Sequence, residues 1–541
     1  MALFRRGPLR RTLAVAVGTL SIGLAATACS PSNPDSQAGG GGDSADRITI
    51  GTTADVLNYN PLVGNSRTDT WVTNLMYPRL MGMGLDGVRT PYLASKWEYT
   101  DGGRKAKVTL RDDFTWSDGE KVTAEDVAFT IEAVAKEKIG VVAGLIPAYQ
   151  KTTVLSPTEL EFQLSQPDGT FLENVGFWMP VVPEHVFSKV GSVQKFANDK
   201  DWVSAGPYRL TTVERGQRYV MQRVENFPLV EGGPKTKEVV FRVFPDVNTE
   251  ALALRNGDID LIANVLPPAL AKTLEGDSKL KLVTVPSLGW AHMQYNTARK
   301  PLDRLEVRQA LAAAVDYEAI RRVALQGKAV SSNSSVLTPT LKQWQDPSAK
   351  EYTHDPAKAK QLLTGAGLKD GNGDGLFDGL SLRMIYDQAD PNISKWAQLV
   401  RDSAKEAGIE IKLEGLERNT YVEKYTARDY DIYAGSWAIM ENPPANLTLA
   451  FKCKGFINYA NACDPELDRL IDESRSKLDQ AGQKGPIQQA AKIISDKVYD
   501  NVLYVEEFTI AHSAKWSGFQ VQPSELLSIV NPVSLAQATA G

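Results

Sequence analysis

Residues 107–134 constrain the fold more than any other part of the chain. Lys107, Val108, Thr109, Leu110 and Arg111 alternate polar with apolar, the period of a half-buried strand. Asp118-Gly119 is a turn signal, because glycine accepts positive φ and aspartate bonds nearby backbone. Thr123 is placed to cap a helix, with Asp126 three residues on closing a variant capping box. Val127, Ile131 and Val134 then recur at i, i+4 and i+7, one apolar helical face. The stretch contains no nucleophile–base pair and no metal-ligand spacing, so its role is that of a structural corner. Strands alternate with helices along the rest of the chain too, which predicts an α/β fold. No repeat of fixed period interrupts that alternation, which argues against a solenoid.

Composition excludes several functions. The 541 residues, 43% hydrophobic and 23% charged, suffice for two or three domains. Net charge is −5, and the only charges in the first 28 residues are Arg5, Arg6, Arg10 and Arg11, so the body is more acidic than the whole. No basic stripe with interleaved aromatics is visible, so no nucleic-acid partner is expected. His185, His292, His354 and His512 are scattered without ligand spacing, so no metal site and no cofactor are expected. Adjacent acids at Asp112-Asp113 and Glu506-Glu507 would point to opposite faces of a strand, unsuited to acid–base catalysis. No enzyme is expected.

Residues 1–28 read as an export signal: a basic start, an apolar run from Leu13 to Leu24 too short for a membrane span, then small residues. Ala25-Ala26-Thr27-Ala28-Cys29 resembles a lipobox, with Ala26 where leucine is usual; Cys29 would be diacylated and become the mature N-terminus. An ordinary signal peptide cut nearby, or a twin-arginine signal at Arg10-Arg11, are the alternatives. Residues 29–45, with glycines at 39–42, form a flexible tether. In an exported protein Cys453 and Cys463, ten residues apart, should be joined. Asp370 to Gly375 (DGNGDG) looks like the start of a calcium loop, but its twelfth position is Ser381 rather than glutamate, so a hairpin turn is the reading.

The segment WSDGEKVTAEDV at 116–127 closely resembles the signature of the peptide- and nickel-type solute-binding proteins of bacterial ABC importers, extracellular solute-binding protein family 5. PLDRLEVRQALAAAVDYEAI at 301–320 is a second specific match, and its Val307, Leu311, Val315 and Ile320 make an apolar face. Looser matches lie at 204–208, 256–260, 355–367 and 464–470, and Gly435-Ser436-Trp437 matches a "G-W" element that enters the ligand cleft. The resemblance spans about residues 48–518. It implies a two-lobed Venus-flytrap fold with discontinuous domains and an extra third domain. The expected boundaries are 46–75, 203–289 and 505–541 for lobe I, 76–202 for the extra domain and 290–504 for lobe II.

That resemblance implies a monomeric lipoprotein at the outer face of the cell membrane or in the periplasm. It would capture di- or oligopeptides and deliver them to the permease and ATPase subunits of an ABC importer. Closure requires tighter binding to the closed state than to the open one. Edge strands can pair with a peptide backbone while roomy, wet pockets take its side chains. Rival readings are a receptor for haem, a nickel chelate or another solute, an exported hydrolase, and a sensory lipoprotein. Peptide-binding members hold the ligand's α-ammonium on an aspartate three residues after the "G-W" tryptophan. Here that position is Met440, and the nearest acid is Glu441. The expected ligand site is therefore Trp437, Ala438, Ile439, Met440, Glu441 and Asn442, faced by Gly64, Asn65 and Ser66.

Overall fold

The computed structural model describes residues 46–541 apart from 65, 86, 438–439 and 525–526. The signal, the tether and Cys29 lie outside the described residues. β1 (Arg47–Thr52) opens the body with Ile48 and Ile50 fully buried. α1 (Arg67–Met76) follows, started by a capping box: Ser66 Oγ accepts from Asp69 N at 3.0 Å and the Asp69 carboxylate accepts from Ser66 N.

Four antiparallel strands make a small separate sheet: β2 (Ala94–Thr100), β3 (Lys105–Leu110), β4 (Tyr149–Ser156) and β5 (Glu159–Leu164), in the order β2-β3-β5-β4. The expected corner is here. β3 alternates half-buried and buried residues, and the box of Thr123 and Asp126 starts α2 (Ala124–Glu137). Val127, Ile131 and Val134 are buried against the sheet. Asp126 also accepts from Trp116 Nε1 at 3.2 Å and Glu184 N at 2.8 Å, so one carboxylate fixes strand, turn and helix together.

The chain then adds β6 (Tyr208–Glu214), β7 (Arg218–Arg223) and β8 (Glu238–Val243) beside β1, followed by α3 (Val247–Asn256) and β9 (Leu261–Ile262). The cap of α3 is Asp246 rather than Asn248 or Thr249, because its carboxylate accepts from both of their N–H groups. β10 (Leu280–Pro286) leads to β11 (Trp290–Tyr295), α4 (Leu305–Ala314), α5 (Pro356–Gly365), β12 (Ser381–Asp387), α6 (Pro391–Glu406), β13 (Glu410–Leu416) and β14 (Ile432–Trp437). α7 (Pro443–Ala450), α8 (Pro465–Ser476) and α9 (Gln480–Asp496) precede the 14-residue β15 (Asp500–Ser513).

The main sheet runs β13-β12-β14-β11-β15-β9-β1-β8-β7-β6. Its two halves belong to two lobes. β15 serves both: residues 507–513 pair with β10, and residues 500–504 pair with β11. β10 and β11 are separated only by Ser287 to Gly289, so two connections cross between the lobes side by side. This is a mixed α/β, two-lobed binding-protein fold. Cys453 and Cys463 are disulfide-bonded. The DGNGDG segment is a self-satisfied turn, with Asp370 accepting from the N–H groups of Gly373, Asp374 and Gly375. Among the described residues no cluster of three or more acids, histidines or cysteines could hold a metal, and no helix is long and apolar enough to cross a membrane.

Candidate functional site

Parallel pairing aims several strand ends at one place. β1 is parallel to β8 and β9, and β12 is parallel to β13 and β14. At or just past those carboxyl ends sit Thr53, Val247 and Asn264 from one lobe, and Asp387 and Ser436 from the other. They line a cleft of about 590 Å³ floored by Glu506, Glu507 and Phe508 of β15. Ligands of open α/β sheets bind at such carboxyl ends. Asn264 Oδ1 accepts from Thr53 N at 3.0 Å, tying two strand ends together. Asp387 pairs with Arg418 at 3.2 Å, while Asp390 caps α6 by accepting from Asn392 N and Ile393 N. Burial raises the Asp390 pKa against those bonds. Arg67 and Lys328 bring positive charge to the same rim.

Trp437 ends β14 one residue beyond Ser436. Its ring stacks on Tyr459 at 5.9 Å and meets His292 edge-on at 5.4 Å. Tyr459 lies inside the disulfide-closed loop. Behind Trp437, Asp500 Oδ2 accepts from His292 Nδ1 at 2.8 Å, Gln294 Nε2 at 3.1 Å and Trp290 Nε1 at 3.3 Å, with His292 and Asp500 fully buried. This network ties β11 to β15, and β11 in turn pairs with β14, Trp290 opposite Trp437.

The structure groups the other expected residues differently. Ser66 is occupied in the α1 cap, and Gly64 N donates to Asn60 O at 3.0 Å. Asn65, Ala438 and Ile439 lie outside the described residues. Met440 is buried among Trp290, Leu337 and Leu447. Asn442 caps α7 through Ala445 N and donates to Glu173 Oε2 at 2.6 Å. Glu441 turns toward Arg89, 3.7 Å away, and lines a second cavity of about 530 Å³ between the small-sheet region and the second lobe. Reading the sequence missed Thr53, Asn264 and Asp387. Each is merely the polar residue at or just beyond the end of a strand, a signal that gains meaning only once sheet order is known.

Residues 89–458 match the family model for bacterial extracellular solute-binding proteins, family 5 middle. The chain is 27% identical to the probable D,D-dipeptide-binding periplasmic protein DdpA of Escherichia coli, over 88% of this chain and 92% of that one. Its fold matches the oligopeptide-binding protein AppA of Bacillus subtilis, solved with a nonapeptide, at a TM-score of 0.78 and 23% identity, covering 92% of this chain and 99% of that one. It matches NikZ of Campylobacter jejuni, solved with Ni(L-His), at 0.79 and 22% with the same coverage. Such neighbours share the two-lobed fold and hold chemically unlike ligands. By the extent of the family match, this chain belongs to the bacterial extracellular solute-binding proteins, family 5.

Proposed function

We propose that this protein captures di- and oligopeptides between its lobes and delivers them to the permease and ATPase of an ABC importer, held at the membrane by a lipid on Cys29. The observation that carries the reading is the cleft where strand ends from both lobes converge. Its volume, about 590 Å³, suits a small ligand. It offers charges of both signs, Arg67 and Lys328 against Asp387 and Glu507, which suits a molecule with an ammonium at one end and a carboxylate at the other. Trp437, next to the lining residue Ser436, supplies an apolar wall. Lobe I is taken as 46–75, 203–289 and 505–541, the extra domain as 76–202, and lobe II as 290–504. Closure then bends the chain at the crossings near 287–289 and 505–507.

Native mass spectrometry of the purified protein, followed by calorimetry with the released ligand and with free and N-acetylated peptides, tests the reading. Peptide binding that weakens on acetylation supports it. Binding of haem or a nickel chelate with no peptide bound overturns the peptide assignment. For the anchor, Cys29→Ala should move the protein from the membrane to the soluble fraction, and a variant that still sediments with membranes removes that part of the reading.

A further inference from the structure

The interlobe cleft carries more negative charge than positive, and the excess survives a count that includes its neighbours. The charged lining residues are Arg67 and Lys328 against Asp387, Asp390, Glu506 and Glu507. Two charges from outside the lining pair with these: Arg418 lies 3.2 Å from Asp387, and Glu275 lies 3.3 Å from Lys328. Five acids thus stand against three bases, a net of two negative charges. Lys328 and Arg418 each have an acid at hand. Among the described residues neither Asp390 nor Glu507 is in an ion pair. Asp390 commits Oδ1 to the cap of α6, accepting from Asn392 N at 2.8 Å and Ile393 N at 2.9 Å, and among the described residues Oδ2 has no donor. Burial raises the Asp390 pKa, and Asp387 pushes the same way more strongly than Arg418 pulls back. Asp390 and Glu506 also stand close enough together to act on one buried hydroxyl, that of Tyr504, whose pKa burial and both carboxylates push up.

Water solvates these groups while the lobes are apart. Closing the cleft strips that water, and burying a carboxylate without a partner is costly. A ligand that brings a cation offsets the cost in the closed state alone, which is the condition for a ligand to drive closure. A ligand that brings an extra carboxylate adds to the cost, so the same charges select against acidic ligands. Protein walls also focus the field of uncancelled charge within a cleft. Leu266, Leu325 and Phe508 line the cleft and offer apolar surface to the stem of a cationic side chain. On the reading of this cleft as the ligand site, we propose that it selects cationic ligands: peptides bearing a lysine or arginine side chain, whose ammonium or guanidinium is taken by Asp390 and Glu507. Asp390 belongs to the second lobe and Glu507 to the strand that both lobes share, so a cation held by both ties the lobes together.

The test is calorimetry on the mature full chain with three tripeptides that differ in one side chain: alanyl-lysyl-alanine, alanyl-norleucyl-alanine and alanyl-glutamyl-alanine. Affinity should fall in that order, by about tenfold at each step, the scale of one screened charge interaction. Glu507→Gln and Asp390→Asn each remove one negative charge with little change of shape, and asparagine still caps a helix. Each should shrink the preference for lysine over norleucine, and the double variant should abolish it. Equal affinity for the lysine and norleucine peptides, tighter binding of the glutamate peptide, or a lysine preference unchanged in both variants overturns the proposal and leaves the peptide reading standing. If none of the three peptides binds, the peptide reading fails, and 1,5-diaminopentane against glutarate decides the charge preference alone. Tighter binding of the diamine, lost in the double variant, supports the proposal; the absence of that difference overturns it.

Discussion

Two buried carboxylates lie on the same contact between the small-sheet region and the second lobe, and they are satisfied in opposite ways. Asp168, with its side chain 2% exposed, accepts from Arg475 Nη2 at 2.5 Å and from Thr170 N and Oγ1 at 3.0 and 2.7 Å. Backbone closes the joint around it: Gly169 N donates to Arg475 O at 2.7 Å, and a Cβ on Gly169 would lie 1.8 Å from Lys477 O. Glu441 has the 3.7 Å approach of Arg89, whose Nη2 is bonded to Glu173, and the more distant charge of Arg79, with no hydrogen bond to either oxygen among the described residues. Desolvation raises its pKa and Arg89 pulls it back. The contrast teaches that burial and charge do not by themselves identify a binding group. A carboxylate with its donors filled is a fastening, and one with its donors missing is an open acceptor.

The largest expected effect comes from breaking the fastening. Arg475→Met leaves Asp168 buried with only Thr170, and removing one partner of a buried pair costs roughly 3–5 kcal/mol. Urea denaturation should show that loss. Replacing both residues, as Asp168→Leu with Arg475→Met, should recover much of it, because an apolar pair of similar volume is often neutral. A loss below about 1 kcal/mol for the single change would mean the pair is solvated in solution and that the comparison is wrong.

Glu250 sharpens the comparison, because it is fully buried with no ion-pair partner among the described residues. Among the described residues neither of its oxygens has a hydrogen-bond partner, and burial alone pushes its pKa up to about 8. It packs so closely on β1 that a Cβ on Gly51 would lie 2.7 Å from it. A folded-state pKa above the unfolded one favours the protonated native form. Its contribution is therefore fully present below pH 4.5 and is lost as pH rises to about 8. Glu250→Gln should remove that slope. It should leave stability unchanged near pH 4 and raise it by roughly 4 kcal/mol near pH 8. Thermal melts of both proteins across that range decide it, and parallel curves would show that Glu250 is solvated.

How much of this was legible in the sequence follows from the range of each interaction. The corner at 107–134 was readable because its strand period, turn and capping box are all local. The "G-W" element at Trp437 was readable through the family resemblance. β15 was not: the apolar run in the sequence suggests a strand near 502–505. It extends over 500–513 because β10 and β11 both pair with it, so tertiary pairing overrides local pattern. Asp168 and Arg475 stand 307 residues apart, and no local signal links them. Glu441 could be named as an acid near Trp437. Which cavity its carboxylate faces depends on Arg89 and Glu173, far away in the chain.

The smallest expected effect tests the open acceptor itself, and its sign is the informative part. Asp168→Asn should destabilise, because it weakens a filled pair. Glu441→Gln should not. It exchanges an ionised group with no donor for a neutral amide of the same shape, and the attraction it gives up to Arg89 acts across 3.7 Å. Because burial raises the Glu441 pKa, the wild type loses stability as pH rises past the ordinary carboxylate range. The glutamine variant escapes that loss, so at neutral pH it should match the wild type or exceed it by about 1 kcal/mol. The gain should vanish in acid, where both proteins carry a neutral side chain. Urea curves at the two pH values measure this. A loss of stability in Glu441→Gln comparable to that in Asp168→Asn would mean that Glu441 is a fastening after all.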